Sequence, residues 1–462
     1  MVEFTLDELM AATGGVLTQR SGSCHNFTGV STDSRRINPG NIFIAIKGER
    51  FNGHDFLGAA IQLGAAALIV MDDGPVFEGV TIIQVKDTLK ALGDIARFHR
   101  SRFNTPLLAI TGSNGKTTTK DLVASIIARE LKIVKTEANY NNEIGLPLTL
   151  LKINSQTEAV VVEMGMRGLG QIKNLAGIAQ PTIGLVTNVG LTHLELLHSQ
   201  GNIAKAKSEL IEALPHNGLA ILNGDDALVR EMGNCTRARK VFYGIDGSNL
   251  DYRAVMVEMT DFGSRFKAIF ENRSLDIALP VPGRHNVMNA IAAVAAAIEL
   301  GISEESTQKG LAEPDLSGKR LNIIEKNGYR IIDDTYNASP TSVKAAIEVL
   351  HSSQSGERKI AVLADMLELG PSSAQIHYEI GSYAALKKID HLFAFGVLAE
   401  KYVEGMNDFV KDQGEFFSDK QALIEKLKAY IRPGDFILVK GSRGMKMEEV
   451  VYALSTEEVH IS

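Results

Sequence analysis

Residues 107–119 read LLAITGSNGKTTT. The run LLAIT has the unbroken apolar character of a strand buried on both faces, and a glycine-rich turn follows it. From Thr117 to Leu131 the apolar residues recur at helical spacing. Strand, glycine turn and helix in that order build a cradle for an anion. Gly112 and Gly115 let backbone N–H groups approach a phosphate, and the helix N-terminus adds its dipole. Lys116 supplies a mobile positive charge, and Thr117 an oxygen suited to magnesium. Ser113, Asn114 and Thr118 complete the loop. The standard spacing would place glycine at position 110, where the chain has Ile110, so this is the shorter TGxxGKT form. A nucleoside triphosphate, ATP or GTP, is the expected ligand.

Around this motif lie 462 residues, too many for a single hydrophobic core. Hydrophobic residues make up 45% and charged residues 22%, which excludes a disordered or collagen-like chain. A net charge of -7 argues against broad capture of nucleic acid or anionic membrane, so phosphate binding must be local. No run reaches the ~18–20 apolar residues of a membrane span, and the N-terminus lacks the basic flank and apolar core of a secretion signal. The cytoplasm is the expected location. Cys24 and Cys235 stand far apart with no zinc spacing, so both are expected to be reduced.

The expected fold class is α/β in three domains. Residues 1–104 form a small α/β unit, with strands in NIFIAI from Asn41, AALIVM from Ala66 and VTIIQV from Val80, and helices over Phe56–Leu63 and Thr88–Phe103. Residues 105–315 form a phosphate-loop domain on a parallel sheet, with AVVVEM from Ala159 and TIGLVTN from Thr182 as its clearest strands. Between Leu250 and Leu279 period-two patterning with turns at Asp261–Ser264 and Glu271–Ser274 predicts antiparallel hairpins, and a helix over Asn286–Leu300 follows. After the polar linker Pro314–Gly318, residues 316–462 repeat strand and helix (YRIIDD, KIAVLADM, HLFAFG, DFILVK) as a Rossmann-like domain.

In open α/β sheets ligands sit at the carboxyl ends of strands, so residues just past each run belong together. LLAIT delivers Lys116 and Thr117, AVVVEM delivers Glu163, and TIGLVTN leads to His193. Hard oxygen donors suit magnesium, and His193 is a less usual ligand. Taken singly, Glu163 also reads as a strand-end surface charge and His193 as a structural histidine. In GNIAKAKSELIEALP the positions Ile203, Lys207, Leu210, Ile211 and Leu214 fall on one apolar stripe, while Lys205 faces away. Lys207 must therefore snorkel, pair or be chemically altered.

The segments TGSNGKTTT, NYNNEIGLPLTLL, VVEMGMRGLGQI, NVGLTHLE, AKAKSEL, PGRHNVMNA and DDTYNASPTS together resemble the Mur ligase family over essentially the whole chain. Within it, DDTYNASPTS and STDSRRINPGNIFIAIKGERFNGHDF resemble the branch that joins D-alanyl-D-alanine to UDP-N-acetylmuramoyl-tripeptide. DDTYNASP argues against the sister ligases and folylpolyglutamate synthases. A nucleotide-driven switch is the rival from another class.

The resemblance implies an ATP-dependent amide ligase acting on UDP-N-acetylmuramoyl-tripeptide and D-alanyl-D-alanine, with ATP and magnesium, without nucleic acid or membrane span, and as a monomer. Carried over by motif, Lys116 meets the ATP phosphates, and Thr117, Glu163 and His193 hold magnesium. Lys207 matches a lysine that carbon dioxide converts to a carbamate, and would join the metal ligands in that form. Asn286 and Asn289 match adenine-contacting asparagines, although Asn286 also suits helix capping. Arg320, Asp334 and Tyr336 match positions that complete the nucleotide site, and Asn337 one that meets substrate. Ser31, Asp33, Ser34, Arg35, Lys47 and Gly48 match the UDP-contacting region, although Ser31 and Asp33 equally suit turn formation. Asn141, Asn142 and Arg167 would face the muramoyl part.

Overall fold

The strand Leu107–Thr111 lies between two parallel neighbours, Ala159–Glu163 on one side and Ile183–Val186 on the other. This computed structural model describes residues 2–21, 26–48, 51–71, 77–260, 263–318, 321–352 and 358–456. Cys24, Arg320 and the expected turn at Asp261 lie outside the described residues.

The full central sheet runs Ile133–Lys135, Ala159–Glu163, Leu107–Thr111, Ile183–Val186, Leu219–Asn223, Arg239–Gly244, Tyr252–Thr260, Gly263–Phe270 and Arg273–Leu279. Parallel pairing extends from Ile133–Lys135 to Tyr252–Thr260, and the last two strands add antiparallel. The period-two segment thus continues the main sheet as its antiparallel end. From Leu107–Thr111 the chain runs out to the edge strand Ile133–Lys135 and returns through Ala159–Glu163. It then crosses to Ile183–Val186 on the far side of its starting strand. That reversal opens a crevice at the carboxyl end of Leu107–Thr111, where a ligand can enter.

Helix Lys116–Ile127 begins on Gly115 in a left-handed conformation (φ 80°) and ends before the expected Leu131. Helix Arg284–Glu299 packs against it and against the sheet, buried nearly all round, with Ala290, Ala292, Ala293 and Ala295–Ala297 among its buried residues. This helix starts earlier than the spacing predicted, with Gly283 as its N-cap, so Asn286 sits inside the first turn rather than capping it.

In the first domain the sheet order is Val16–Gln19, Thr81–Gln84, Ala67–Val70, Ile42–Ile44 and Val30–Ser31, with a separate ribbon pairing Glu3–Thr5 and Asn26–Thr28. Its helix Thr88–Ser101, capped by Asp87, also packs on helices Gly145–Leu150 and Gln171–Ala179 of the central domain, so one hydrophobic core spans both. The buried Arg100 ties this junction, donating to the carbonyls of Ala179 (3.1 Å), Phe103 (2.6 Å) and Thr105 (2.8 Å).

The last domain orders its strands Asn322–Lys326, Tyr329–Asp334, Phe436–Lys440, Lys359–Ala364, His391–Phe395 and Gly414–Phe417; all but the first pair are parallel. Phe436–Lys440, last in sequence, inserts between the two earliest parallel strands. Helices Pro340–His351 and Ser373–Leu386 cover one face, and Lys420–Tyr430 and Glu448–Thr456 the other.

Candidate functional site

A cleft of about 1790 Å³ opens at the carboxyl ends of the central strands, walled by all three domains. At its floor is the phosphate loop. Gly112 has φ 150°, and a Cβ there would overlap the Thr187 hydroxyl, so only glycine fits. The loop is braced by the strand end next to it. Ser113 N–H donates to the Asn188 carbonyl (2.9 Å), Asn114 N–H to Asn188 Oδ1 (3.0 Å), and Thr187 Oγ1 to the Asn114 carbonyl (2.6 Å). Lys116 folds over the loop, its ammonium donating to the carbonyls of Gly112 (2.7 Å) and Ser113 (3.2 Å). Thr118 faces the same cleft.

Glu163, 2% exposed, accepts from the Thr117 hydroxyl and from Asn141 Nδ2, each at 2.7 Å. Both donors are neutral, and no ion pair reaches this carboxylate among the described residues. A buried negative charge with a hydroxyl oxygen beside it and no cation is the donor chemistry a hard divalent ion needs, so these residues fit magnesium. Asn142 instead caps the next turn, its Oδ1 accepting from Gly145 N–H at 2.9 Å.

Lys207 comes from helix Gln200–Glu212 and is 2% exposed, while Lys205 is exposed. It opens on the cleft, and no hydrogen bond or ion pair meets its ammonium among the described residues. Burial, with the nearby charge of Lys116, pushes its pKa well below the usual 10.5. His193 adopts a left-handed backbone (φ 58°), and its Nδ1 lies 2.8 Å from Glu368 Oε2 of the last domain. Burial lowers its pKa, against the attraction of Glu368, and Lys116 lowers it further. Among the described residues, no group of three or more His, Cys, Asp or Glu is gathered as a metal cluster.

Asn289 Oδ1 accepts from Thr119 Oγ1 (3.3 Å), its Nδ2 donates to Asn286 Oδ1 (3.2 Å), and Asn286 Nδ2 donates to the Pro282 carbonyl (2.8 Å). This chain fixes both amides at the cleft wall beside Gly115. Across the cleft, Asp334 pairs with the buried Lys440, which also donates to the Asn337 carbonyl (2.8 Å); Tyr336, Asn337 and Arg167 line the same space. Ser339 Oγ donates to Asn114 Oδ1 at 2.8 Å, so the last domain touches the phosphate loop directly.

Ser31, Asp33, Ser34, Arg35, Lys47 and Gly48 do not line this cleft. They follow the adjacent parallel strands Val30–Ser31 and Ile42–Ile44 at their carboxyl ends. Arg35 holds both Asp33 oxygens at 2.9 Å, and these bonds bring the Asp33 pKa down to about 2. Ser31 Oγ closes the same turn.

Models of the Mur ligase family catalytic domain, the Mur ligase middle domain and the Mur ligase glutamate ligase domain match residues 26–100, 110–297 and 319–443. A Bacillus subtilis (strain 168) protein named UDP-N-acetylmuramoyl-tripeptide--D-alanyl-D-alanine ligase is 39% identical over 458 residues, 98% of either chain. The chain belongs to the Mur ligase family. The crystal structure of MurF from Acinetobacter baumannii superposes with a TM-score of 0.90 at 32% identity, covering 98% of this chain and 99% of that one. MurF from Thermotoga maritima in complex with ADP gives 0.82 at 28% identity, covering 92% and 96%.

Sequence reasoning passed over several residues of this Mur ligase cleft. Lys90, Asp94 and Arg97 enter it from helix Thr88–Ser101, and Glu368, Lys440 and Arg443 from the last domain. Glu368 and Lys440 stand at or just past strand ends, so the rule that located Glu163 would have found them. His285, whose pKa burial brings down to about 4, also faces the cleft. Within the phosphate helix the buried Lys120 and Asp121 pair at 2.8 Å, and Asp121 Oδ2 accepts both the N–H (2.8 Å) and the hydroxyl (2.6 Å) of Ser317 in the linker. Two adjacent charges inside a helix otherwise suited to burial were the available signal.

Proposed function

We propose that this chain joins D-alanyl-D-alanine to UDP-N-acetylmuramoyl-tripeptide in the cytoplasm, using ATP and releasing ADP and phosphate. What carries the reading is one cleft onto which Lys116, Thr117, Glu163 and Lys207 all open, in a chain similar over its full length to ligases of that name. We assign residues 1–104 to holding the UDP-muramoyl substrate, 105–315 to ATP and 316–462 to the incoming dipeptide.

A carboxylate is a poor acyl donor, so its oxygen must first become a leaving group. The γ-phosphoryl group of ATP passes to the terminal carboxylate of the tripeptide, giving an acyl phosphate and ADP. Lys116 neutralises charge on the transferring group. The amine of D-alanyl-D-alanine attacks the acyl carbon, loses a proton, and expels phosphate to leave the amide. Thr117 and Glu163 would hold one magnesium and Glu163 with His193 would help hold a second, with Lys207 as a carbamate supporting the site; magnesium there would withdraw charge from phosphate oxygens. A carbamate makes Lys207 an oxygen ligand, which gives a function to a lysine too buried to keep its charge cheaply.

Asn286 and Asn289 are assigned to adenine, with Ser113, Asn114 and Thr118 on the phosphates. Arg320, Asp334 and Tyr336 complete the nucleotide site. Asn141, Asn142, Arg167 and Asn337 hold the peptide-bearing substrate, and Ser31, Asp33, Ser34, Arg35, Lys47 and Gly48 its UDP end.

The test is phosphate release from ATP and magnesium with UDP-N-acetylmuramoyl-tripeptide and D-alanyl-D-alanine. The reading requires release that needs both substrates. Release indifferent to both belongs to a nucleotide-driven switch.

A further inference from the structure

Asn114 stands between the two glycines of the phosphate loop. Its main chain is held by its own domain, the N–H by Asn188 Oδ1 and the carbonyl by Thr187 Oγ1 and Asn188 Nδ2 (3.0 Å). Its side chain reaches the last domain, where Oδ1 accepts from the Ser339 hydroxyl at 2.8 Å. Ser339 is the N-cap of helix Pro340–His351, in the capping box with Ser342. Its cap bond from Ser342 N–H is long, 3.4 Å, so the shorter contact is the one across the domains.

Two further observations single out this contact. Asn114 Nδ2 is buried with no hydrogen-bond partner among the described residues. Asn114 also lines the cleft, so the amide held by the last domain faces the ligand side of the loop. Gly190, from the loop that braces Ser113, completes the junction. A Cβ there would sit 3.3 Å from Ser113 Cβ, 3.4 Å from Asn114 Nδ2 and 3.5 Å from Thr341 Oγ1. Phosphate loop, bracing loop and the first helix of the last domain converge on one point.

We infer that Ser339 is a positioning residue for phosphoryl transfer, setting the Asn114 amide so that the phosphate loop takes its working form only with the last domain seated. The hydroxyl acts by direction as well as presence. It gives its proton to Oδ1 in preference to the more distant Ser342 Oγ (3.0 Å) and so ties the amide to the first helix of the last domain. Lys116, bonded to the Gly112 and Ser113 carbonyls just before Asn114, inherits the placement. The inference rests on the ligase reading above.

The test separates hydroxyl polarity from helix capping. Aspartate caps a helix as well as serine does, but it only accepts, and so would lose the bond to Asn114 Oδ1. Threonine caps and also donates. Ser339→Asp should keep its Tm, yet lose phosphoryl transfer to the tripeptide in single turnover by about 10²-fold, the scale of a small misplacement of reacting groups. The loss should fall on kcat more than on KM for ATP, and Ser339→Thr, which also donates, should turn over at the wild-type rate. Ser339→Asp turning over at the wild-type rate, or Ser339→Thr failing equally with an unchanged Tm, would overturn the inference while leaving the ligase reading intact. A wild-type chain that makes no amide would overturn both.

Discussion

The hydroxyl of Thr117 donates to the Glu163 carboxylate across 2.7 Å, joining the first turn after one strand to the end of its parallel neighbour. The register that pairs Glu163 with Ile110 makes the meeting possible, because it sets the glutamate level with the start of the phosphate loop. Glu163→Gln keeps the size and the hydrogen-bonding capacity but removes the charge. The magnesium concentration for half-maximal turnover should rise by about 10–100-fold, as for lost metal-site support. Titrating magnesium against initial rate checks this, and an unchanged half-saturation would remove Glu163 from the metal site.

Lys207 should titrate well below an ordinary lysine, because burial disfavours its charge. Its folded pKa lies well below 10.5, so between the two values the unfolded chain binds the additional proton. Stability therefore rises with pH through that interval and is lowest below it. In buffer free of carbon dioxide, urea unfolding across alkaline pH should show this slope in the wild type and not in Lys207→Met. If a carbamate forms, Lys207→Ala should lose turnover and regain part of it with added acetate or another short carboxylate.

Removing the Asp121 carboxylate leaves the Lys120 ammonium, 1% exposed, without its ion-pair partner. Asp121→Ala should destabilise the chain by about 3–5 kcal/mol in urea unfolding, the usual result of stranding one buried charge. Replacing both residues by apolar ones of similar volume should recover most of the loss. A destabilisation under about 1 kcal/mol would show that the pair is not what fastens the linker to the phosphate helix.

Gly115 and Asn289 should be coupled. A Cβ on Gly115 would overlap Asn289 Oδ1, and the backbone there has φ 80°, which disfavours any other residue by about 1–2 kcal/mol. Gly115→Ala and Asn289→Ala should each weaken ADP binding measured by calorimetry. Combined, they should cost less than their sum, because the second removes what the first collides with.

The parallel core was open to sequence reading because its strands are buried on both faces. LLAIT, AVVVE and FILVK sit where their unbroken apolar runs predicted, at Leu107–Thr111, Ala159–Glu163 and Phe436–Lys440. Short edge strands such as Ile133–Lys135 and Asn322–Lys326 carry too little buried pattern to stand out. Lys207 was legible because a charge on an apolar stripe breaks a local rule. Glu368 and Ser339 meet His193 and Asn114 through domain docking, a relation between segments 175 and 225 positions apart that local spacing does not encode.

Phosphorylation should activate the tripeptide carboxylate. Tripeptide substrate labelled with ¹⁸O in its terminal carboxylate, turned over with ATP and D-alanyl-D-alanine, tests it most directly by mass analysis of the phosphate released. An acyl phosphate requires a single carboxylate oxygen to leave in each phosphate formed. Phosphate free of label, released while the amide accumulates, would contradict the account.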